Sequence, residues 1–121
     1  MEPNEPLHYV AETDELEEGG RLITSIRGRE IAVFNRENEY YALANYCVHQ
    51  GGPACEGRLS GRLTEDERGE LVYEDDDEFV CCPWHGWEFN IETGRSLAHP
   101  DRYRVPTYET AVRDGKLYVR L

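Results

Sequence analysis

The sequence predicts an all-β fold, either a sandwich or a small barrel of short antiparallel strands. Short segments that alternate apolar and polar residues run along most of the chain, and turn-forming residues separate them. No segment has the apolar spacing of an amphipathic helix of ordinary length, and only Glu12–Glu18 is expected to form a helical turn or two. At 121 residues the chain is expected to be one domain.

The N-terminal half of the chain contains four predicted strands. The clearest is Arg21–Ile26, because its residues alternate between apolar and polar as in a strand with one buried face. The four strands are Leu7–Val10, Arg21–Ile26, Ile31–Phe34 and Tyr40–Leu43, with turns at Arg27–Arg29 and Asn35–Asn38.

The C-terminal end of the chain is predicted to be a β-hairpin. Thr107–Arg113 and Lys116–Leu121 flank Asp114–Gly115, a dipeptide that favours a tight two-residue hairpin turn. A further turn is predicted at Glu92–Gly94. The all-β pattern therefore continues to the end of the sequence.

The segment between Gly61 and Phe79 differs from the rest of the chain in its charge. It has nine acidic residues from Glu65 to Glu78, and the apolar Leu71–Tyr73 within it predicts a short strand. The segment is therefore predicted to be a projecting acidic hairpin at about 62–78. Such a charge run is ordinarily a solvated surface, and the alternative is a docking or specificity element for a basic partner.

The composition as a whole is strongly acidic. Twenty-five acidic residues oppose thirteen basic ones, which gives a net charge of −12, and Lys116 is the only lysine. This charge excludes nucleic acid and anionic membranes as favoured partners and favours partners with basic surfaces. Arginine in place of lysine is typical of a GC-rich genome, whereas the acidic excess is also typical of a halophilic protein from a high-salt cytoplasm; the sequence leaves both readings open.

The N-terminal residues predict a soluble, cytoplasmic protein. Met1–Pro6 is acidic and polar and has no apolar segment of a secretory signal behind it. No apolar run in the chain approaches the roughly 20 residues that a membrane-spanning helix needs. Of the four cysteines, two are followed at short range by histidine, which favours metal binding over disulfides.

Two Cys/His pairs are the candidate metal ligands. One is Cys47 with His49 and the other is Cys82 with His85, and glycine follows each pair closely. A loop with one cysteine and one histidine can contact both irons of a [2Fe–2S] cluster in which one iron binds two thiolates and the other two imidazoles. The glycines let backbone N–H groups approach the cluster sulfurs. A zinc site is the alternative, but zinc loops usually pair Cys with Cys and His with His.

The two motifs resemble the cluster loops of Rieske-type [2Fe–2S] ferredoxins, which carry electrons to ring-hydroxylating and related oxygenases. The similarity lies in CVHQGGP at 47–53 and CPWHGW at 82–87, and their flanks extend it over nearly the whole chain. It implies a Rieske fold of three stacked antiparallel sheets, with the two cluster loops at one tip. It also implies a single Rieske [2Fe–2S] domain over 1–121, with Cys47, His49, Cys82 and His85 as the ligands.

The chain departs from the family pattern in two ways. Thirty-two residues separate His49 from Cys82, more than is usual, and the acidic hairpin accounts for the excess as an insertion. High-potential members have a disulfide between the loops where this chain has Gly52 and Trp84, and Ser and Tyr hydroxyls where it has Trp87 and Phe89. Without hydroxyl donors to the cluster the reduced state is less stabilised, so a low potential is expected, towards about −150 mV.

The resemblance implies an electron-transfer protein that passes single electrons from a flavoprotein reductase to a terminal oxygenase. The alternative is a small Rieske subunit of a larger oxidoreductase, such as a nitrite-reductase-like complex; a binding module with zinc or no metal is a third class. An enzyme is not expected, because oxygen activation needs a mononuclear iron on two histidines and a carboxylate. Only His8 and His99 remain for that role, and both are expected to be surface histidines.

The two other cysteines are expected to be thiols outside the ligand set. Neither Cys55 nor Cys81 occupies the disulfide position of the family. Because successive side chains of a strand point to opposite faces, Cys81 is expected to point away from the face of its neighbour Cys82.

Overall fold

The computed structural model describes residues 6–46, 54–57, 59–65, 67–82 and 87–121. Strands dominate these ranges, and one short 3-10 helix, Thr13–Glu15, lies where the helical turn was predicted. The strands are β1 Leu7–Glu12, β2 Arg21–Ile26, β3 Arg29–Arg36, β4 Glu39–Ala44, β5 Leu59–Glu65, β6 Leu71–Cys81, β7 Glu88–Asn90, β8 Thr107–Tyr108, β9 Thr110–Arg113 and β10 Lys116–Arg120.

The strands form three antiparallel sheets, which confirms the predicted fold class. Their orders are β1-β10-β9, β2-β3-β4-β8 and β5-β6-β7. Tight two-residue turns join β2 to β3, β3 to β4 and β9 to β10. In the last of these, Asp114 and Gly115 have φ of 53° and 72°, the left-handed pair of a type I′ hairpin turn. Glu37 and Asn38 make a similar turn between β3 and β4, and the Asn35 side chain accepts the N–H of Asn38 at 3.0 Å. Within the described ranges, no helix has the length and apolar character needed to cross a membrane.

The central residues of β3, in the middle sheet, are buried on both faces of the strand. This agrees with the continuous apolar run at its centre, since a strand with two buried faces needs apolar side chains on both. Ala32 and Phe34 face a first core cluster, which packs this sheet against the sheet of β5, β6 and β7. Ile31 and Val33 face a second core cluster, which packs it against the sheet of β1, β10 and β9. The buried members of the first cluster are Ala32, Phe34, Leu43, Ala54, Cys55, Val80, Cys82, Phe89, Ile91 and Val105.

The prediction of one strand over Thr107–Arg113 was wrong. The chain changes sheets at Glu109: β8 pairs with β4, whereas β9 pairs with β10. The carbonyl oxygen of Glu109 accepts the N–H of Arg120 at 2.9 Å, and the hydroxyl of Thr110 donates to the carbonyl oxygen of Tyr40 at 2.9 Å. Local apolar alternation cannot reveal such a break, because both halves are extended and only their partners differ.

The acidic segment forms a hairpin, but its second strand is longer than predicted. The predicted Leu71–Tyr73 is the start of β6, which continues through the acidic run to Cys81 and pairs with both β5 and β7. Between the paired positions at Glu74 and Phe79, β6 has the four residues 75–78 while β5 has only Gly61. The acidic run thus forms an irregular bulge within β6. The sequence does not predict a strand there, because acidic residues have a low strand propensity.

Candidate metal centre

The second Cys/His motif lies at the end of the β6–β7 hairpin. Cys81 pairs with Glu88, and the N–H of Cys82 donates to the carbonyl oxygen of Trp87 at 2.6 Å. Backbone pairing therefore closes the base of the segment 83–86. Cys82 is fully buried at this position.

The first Cys/His motif follows β4. The chain is described up to Tyr46 and again from Ala54. The parts of the two motifs outside the described ranges are 47–53 and 83–86, which include Cys47, His49, Gly52, Trp84 and His85. Within the described ranges no group of three or more His, Cys, Asp or Glu side chains is arranged to hold a metal ion. Of the four predicted ligands, the structure thus places Cys82.

The bases of the two motifs meet in the first core cluster. Ala54 and Cys55, directly after the first motif, are fully buried, and so is Cys82 at the start of the second. All three belong to one cluster with Val80 and Phe89. Two loops with a thiolate and an imidazole each, whose bases share one buried cluster, suit a group that needs two sulfur and two nitrogen donors. The donor set and the placement of Cys82 therefore fit a Rieske-type [2Fe–2S] cluster.

The two remaining cysteines differ in exposure. Cys55 is buried, its thiol lies 3.6 Å from the carbonyl oxygen of Ala44, and burial raises its pKa to about 12 although the nearby Arg21 charge lowers it. Cys81 is half-buried whereas Cys82 is fully buried, in keeping with neighbouring side chains on different faces.

Polar contacts that the sequence pattern does not reveal hold both ends of the first motif. Asn45 lies two residues before Cys47, and its side chain binds Glu30, the Cys55 amide and Glu56. Arg21 donates to the carbonyl oxygens of Cys55, at 2.8 Å, and Gly57. The only sign of these contacts in the sequence is the polar Asn45 between a buried strand and the first motif. Such a residue is too common to predict specific hydrogen-bond partners.

Aromatic rings surround Trp87 at the end of the second motif. Its ring lies 5.0 Å from that of Tyr103 in an edge-to-face arrangement, 5.8 Å from His99 and 6.5 Å from Phe89. Phe89 is fully buried in the first core cluster, and His99 is exposed, which confirms the prediction of a surface histidine. The segment after the motif is therefore held by ring packing from the core to the surface.

His8 was predicted to be a surface histidine, and this was only partly right. The residue is half-buried on β1, opposite Val119 of β10. Its Nε2 atom is buried and finds no hydrogen-bond partner among the described residues. His8 is half-buried because it lies in a strand of a sheet that packs on the core. The polar character of histidine alone does not indicate this burial.

Known proteins resemble this chain over most of its length. Residues 7–109 match the model of the Rieske [2Fe–2S] domain. The ferredoxin component of the naphthalene 1,2-dioxygenase system of Pseudomonas putida is 30% identical over 115 residues, which are 95% of this chain and 94% of that protein. The ferredoxin of carbazole 1,9a-dioxygenase from Nocardioides aromaticivorans IC177 superposes with a TM-score of 0.72 at 24% identity, covering 94% of this chain and 96% of that one. A chain from a complex of reduced oxygenase and oxidized ferredoxin in carbazole 1,9a-dioxygenase gives 0.73 at 23% identity, covering 97% and 94%.

Proposed function

Because this chain belongs to the Rieske [2Fe–2S] domain family, we propose that it carries single electrons from a flavoprotein reductase to a terminal oxygenase. Its relatives include ferredoxin components of dioxygenase systems, and this chain is likewise an electron-transfer protein with a Rieske-type [2Fe–2S] cluster, not an enzyme. When bound, the cluster accepts and releases one electron. The protein supplies the ligands, excludes water and presents the cluster to its partners.

The proposed ligands are Cys47, His49, Cys82 and His85. The single observation that supports this assignment is the position of Cys82 at the closed base of the β6–β7 hairpin, in contact with the cluster that also holds the C-terminal flank of the first motif. A buried thiolate is stable only beside positive charge, and two ferric ions supply it. The partly buried Trp87 packs against the same cluster and limits the access of water.

The ligand assignment can be tested with two histidine variants. His85→Ala should lose iron and the red-brown colour, because one imidazole donor is missing. His99→Ala is the matched control: it removes an exposed imidazole that packs on Trp87 and should keep full iron and sulfide content. Full iron content in His85→Ala would refute the assignment, and zinc in place of iron in the unmodified protein would refute the cluster itself.

We further propose that the midpoint potential is low. Phe89, at the position of a tyrosine in high-potential relatives, is fully buried and offers no hydroxyl. Protein-film voltammetry should give a negative midpoint at neutral pH, and Phe89→Tyr should raise it because the added hydroxyl can donate to the cluster. A positive midpoint in the unmodified protein, or no shift in Phe89→Tyr, would contradict the donor argument.

The partners are proposed from the relatives and from the charge. A solved structure of similar fold comes from a complex of oxygenase and ferredoxin, which supports a terminal oxygenase as the electron acceptor. The net charge of −12 favours basic docking surfaces over nucleic acid or membranes. The alternative, a permanent subunit of a larger oxidoreductase, predicts co-purification with that enzyme at high salt, whereas a diffusing carrier should elute alone.

We also propose one cytoplasmic Rieske domain over 1–121 with the hairpin at about 62–78 as an insertion.

A further inference from the structure

We propose that Asn45 is a positioning residue that ties the two ends of the first motif together and so sets the coordination geometry of the cluster. The proposal rests on the assignment of Cys47 and His49 as ligands. It concerns the described residues on either side of the motif, 44–46 and 54–57, and the strands β2 and β3 behind them.

The amide of Asn45 joins three groups in a nearly buried position. Asn45 is only 7% exposed. Its Nδ2 donates to Oε1 of Glu30 and to Oε2 of Glu56, each at 2.7 Å, and its Oδ1 accepts the N–H of Cys55 at 2.8 Å. The orientation of the amide is fixed by chemistry, because the carboxylates only accept and the backbone N–H only donates. Both amide hydrogens are therefore used.

These bonds cross from one end of the motif to the other. Asn45 precedes the motif and its backbone N–H donates to the carbonyl oxygen of Glu30 on β3 at 2.9 Å. Cys55 and Glu56 follow the motif, and Arg21 on β2 holds the carbonyl oxygen of Cys55 from the other side at 2.8 Å. One side chain thus keeps both ends at a set separation and anchors them to the middle sheet.

The two motifs differ in what closes them. The N–H of Cys82 bonds to the carbonyl oxygen of Trp87 at 2.6 Å, so the second motif is closed by backbone and continues a strand ladder. Among the described residues, side chains join the two ends of the first motif. Loss of the Asn45 amide should therefore free the ends of the first motif alone, and a metal site depends on ligands held to within about 0.5 Å.

Aspartate is the most informative replacement at this position. It has the shape of asparagine and still accepts the N–H of Cys55, but it loses both donors and sets a third carboxylate against Glu30 and Glu56. Replacing Glu56 with glutamine at the same time restores one donor to that carboxylate and returns the net charge to its original value. Asn45→Asp with Glu56→Gln is therefore a rescue variant that separates geometry from charge.

The experiment uses the cluster-loaded protein and four variants: Asn45→Ala, Asn45→Asp, Asn45→Asp with Glu56→Gln, and Asn38→Asp as a matched control in an exposed turn. Each is compared by electron paramagnetic resonance of the reduced state, midpoint potential and the rate of iron release to a chelator. Asn45→Ala and Asn45→Asp should shift the resonance and the midpoint and release iron roughly tenfold faster, the loss typical of residues that orient metal ligands. In the rescue variant, the resonance, the midpoint and the rate of iron release should move back towards the values of the unmodified protein. Asn38→Asp should have the same values as the unmodified protein.

The outcomes separate this proposal from the ligand assignment. An unmodified protein without a Rieske-type resonance would refute the cluster and the proposal built on it. A normal resonance in the unmodified protein, with the same spectrum, midpoint and iron release in Asn45→Ala, would refute the positioning role alone. If Asn45→Ala does not fold, Asn45→Asp decides, because it keeps the shape and the bond from the Cys55 N–H but loses both donors. The same spectrum, midpoint and iron release in Asn45→Asp as in the unmodified protein would overturn the proposal.

Discussion

Replacing Gly94 with alanine should destabilise the protein far more than the same change at Gly28. Both glycines have left-handed φ, 75° at Gly94 and 80° at Gly28. A Cβ on Gly94 would overlap the carbonyl oxygen of Val105 and lie 3.1 Å from Cγ2 of Thr107, whereas a Cβ on Gly28 would have no atom within 4 Å. The comparison therefore isolates the contact, because the backbone strain is common to both.

The magnitude follows from the groups that must move. Left-handed φ costs an alanine about 1–2 kcal/mol, offset by about 0.4–1 kcal/mol from the restricted unfolded chain. At Gly94 the overlap must also disturb the bond from the N–H of Val105 to the carbonyl oxygen of Gly94, now 2.8 Å, and the packing of the buried Val105. Overpacking and a weakened buried hydrogen bond add about 1–3 kcal/mol each. We expect a loss of about 2–7.5 kcal/mol at Gly94 and at most about 1.5 kcal/mol at Gly28.

Thermal unfolding followed by far-UV circular dichroism measures the difference. For a chain of this size about 1 kcal/mol corresponds to a shift of about 4 °C, so Gly94→Ala should melt about 8–30 °C lower and Gly28→Ala no more than about 6 °C lower. Iron content should be checked in both, because the turn at Gly94 follows β7, the strand after the second motif. Equal shifts in the two variants would refute the reasoning, since the Val105 contact would then cost nothing.

Three further changes test the surface, the core and the sheet. The melting temperature should rise between 0.1 M and 2 M KCl, because the screening length falls from about 10 Å to about 3 Å or less and this relieves repulsion within a chain of charge −12. Deletion of 62–78 should flatten the rise. A melting temperature that stays level across the KCl series would end the interpretation as a high-salt protein. Cys55→Ala should keep the cluster, since this thiol is outside the ligand set, and lower stability by about 1–2 kcal/mol through the cavity it leaves; loss of iron would make Cys55 part of the site. Tyr41 donates to Oε2 of Glu39 at 2.7 Å, and this bond raises the pKa of Tyr41 to about 12. Because the folded pKa lies above the ordinary 10.0, the bond stabilises the fold fully below that pH and is lost as pH rises through 12; Tyr41→Phe should remove one late-titrating phenol from the absorbance titration, and an unchanged titration would contradict the assignment.

Local chemistry in the sequence predicted the tight turns, the central strands of the middle sheet and the proposed ligand types. Asp114–Gly115 predicted a two-residue turn because few residues adopt left-handed φ, and the structure has φ of 53° and 72° there. The run Ile31–Phe34 is apolar at every position, and β3 is indeed buried on both faces. The Cys/His spacing predicted a pair of mixed loops, since a cysteine and a histidine one or two residues apart can contact both irons of one cluster.

Tertiary structure alone decided which groups meet. Thr107–Arg113 has the pattern of one strand, yet its halves pair with β4 and β10 in different sheets. The three partners of Asn45 come from β3 and from the far side of the first motif, and nothing in the local sequence marks Glu30 or Glu56 as those partners. Turn geometry and strand alternation are properties of a few consecutive residues and can be predicted from them. Hydrogen bonds between distant segments depend on how the sheets stack, and only the folded chain determines that.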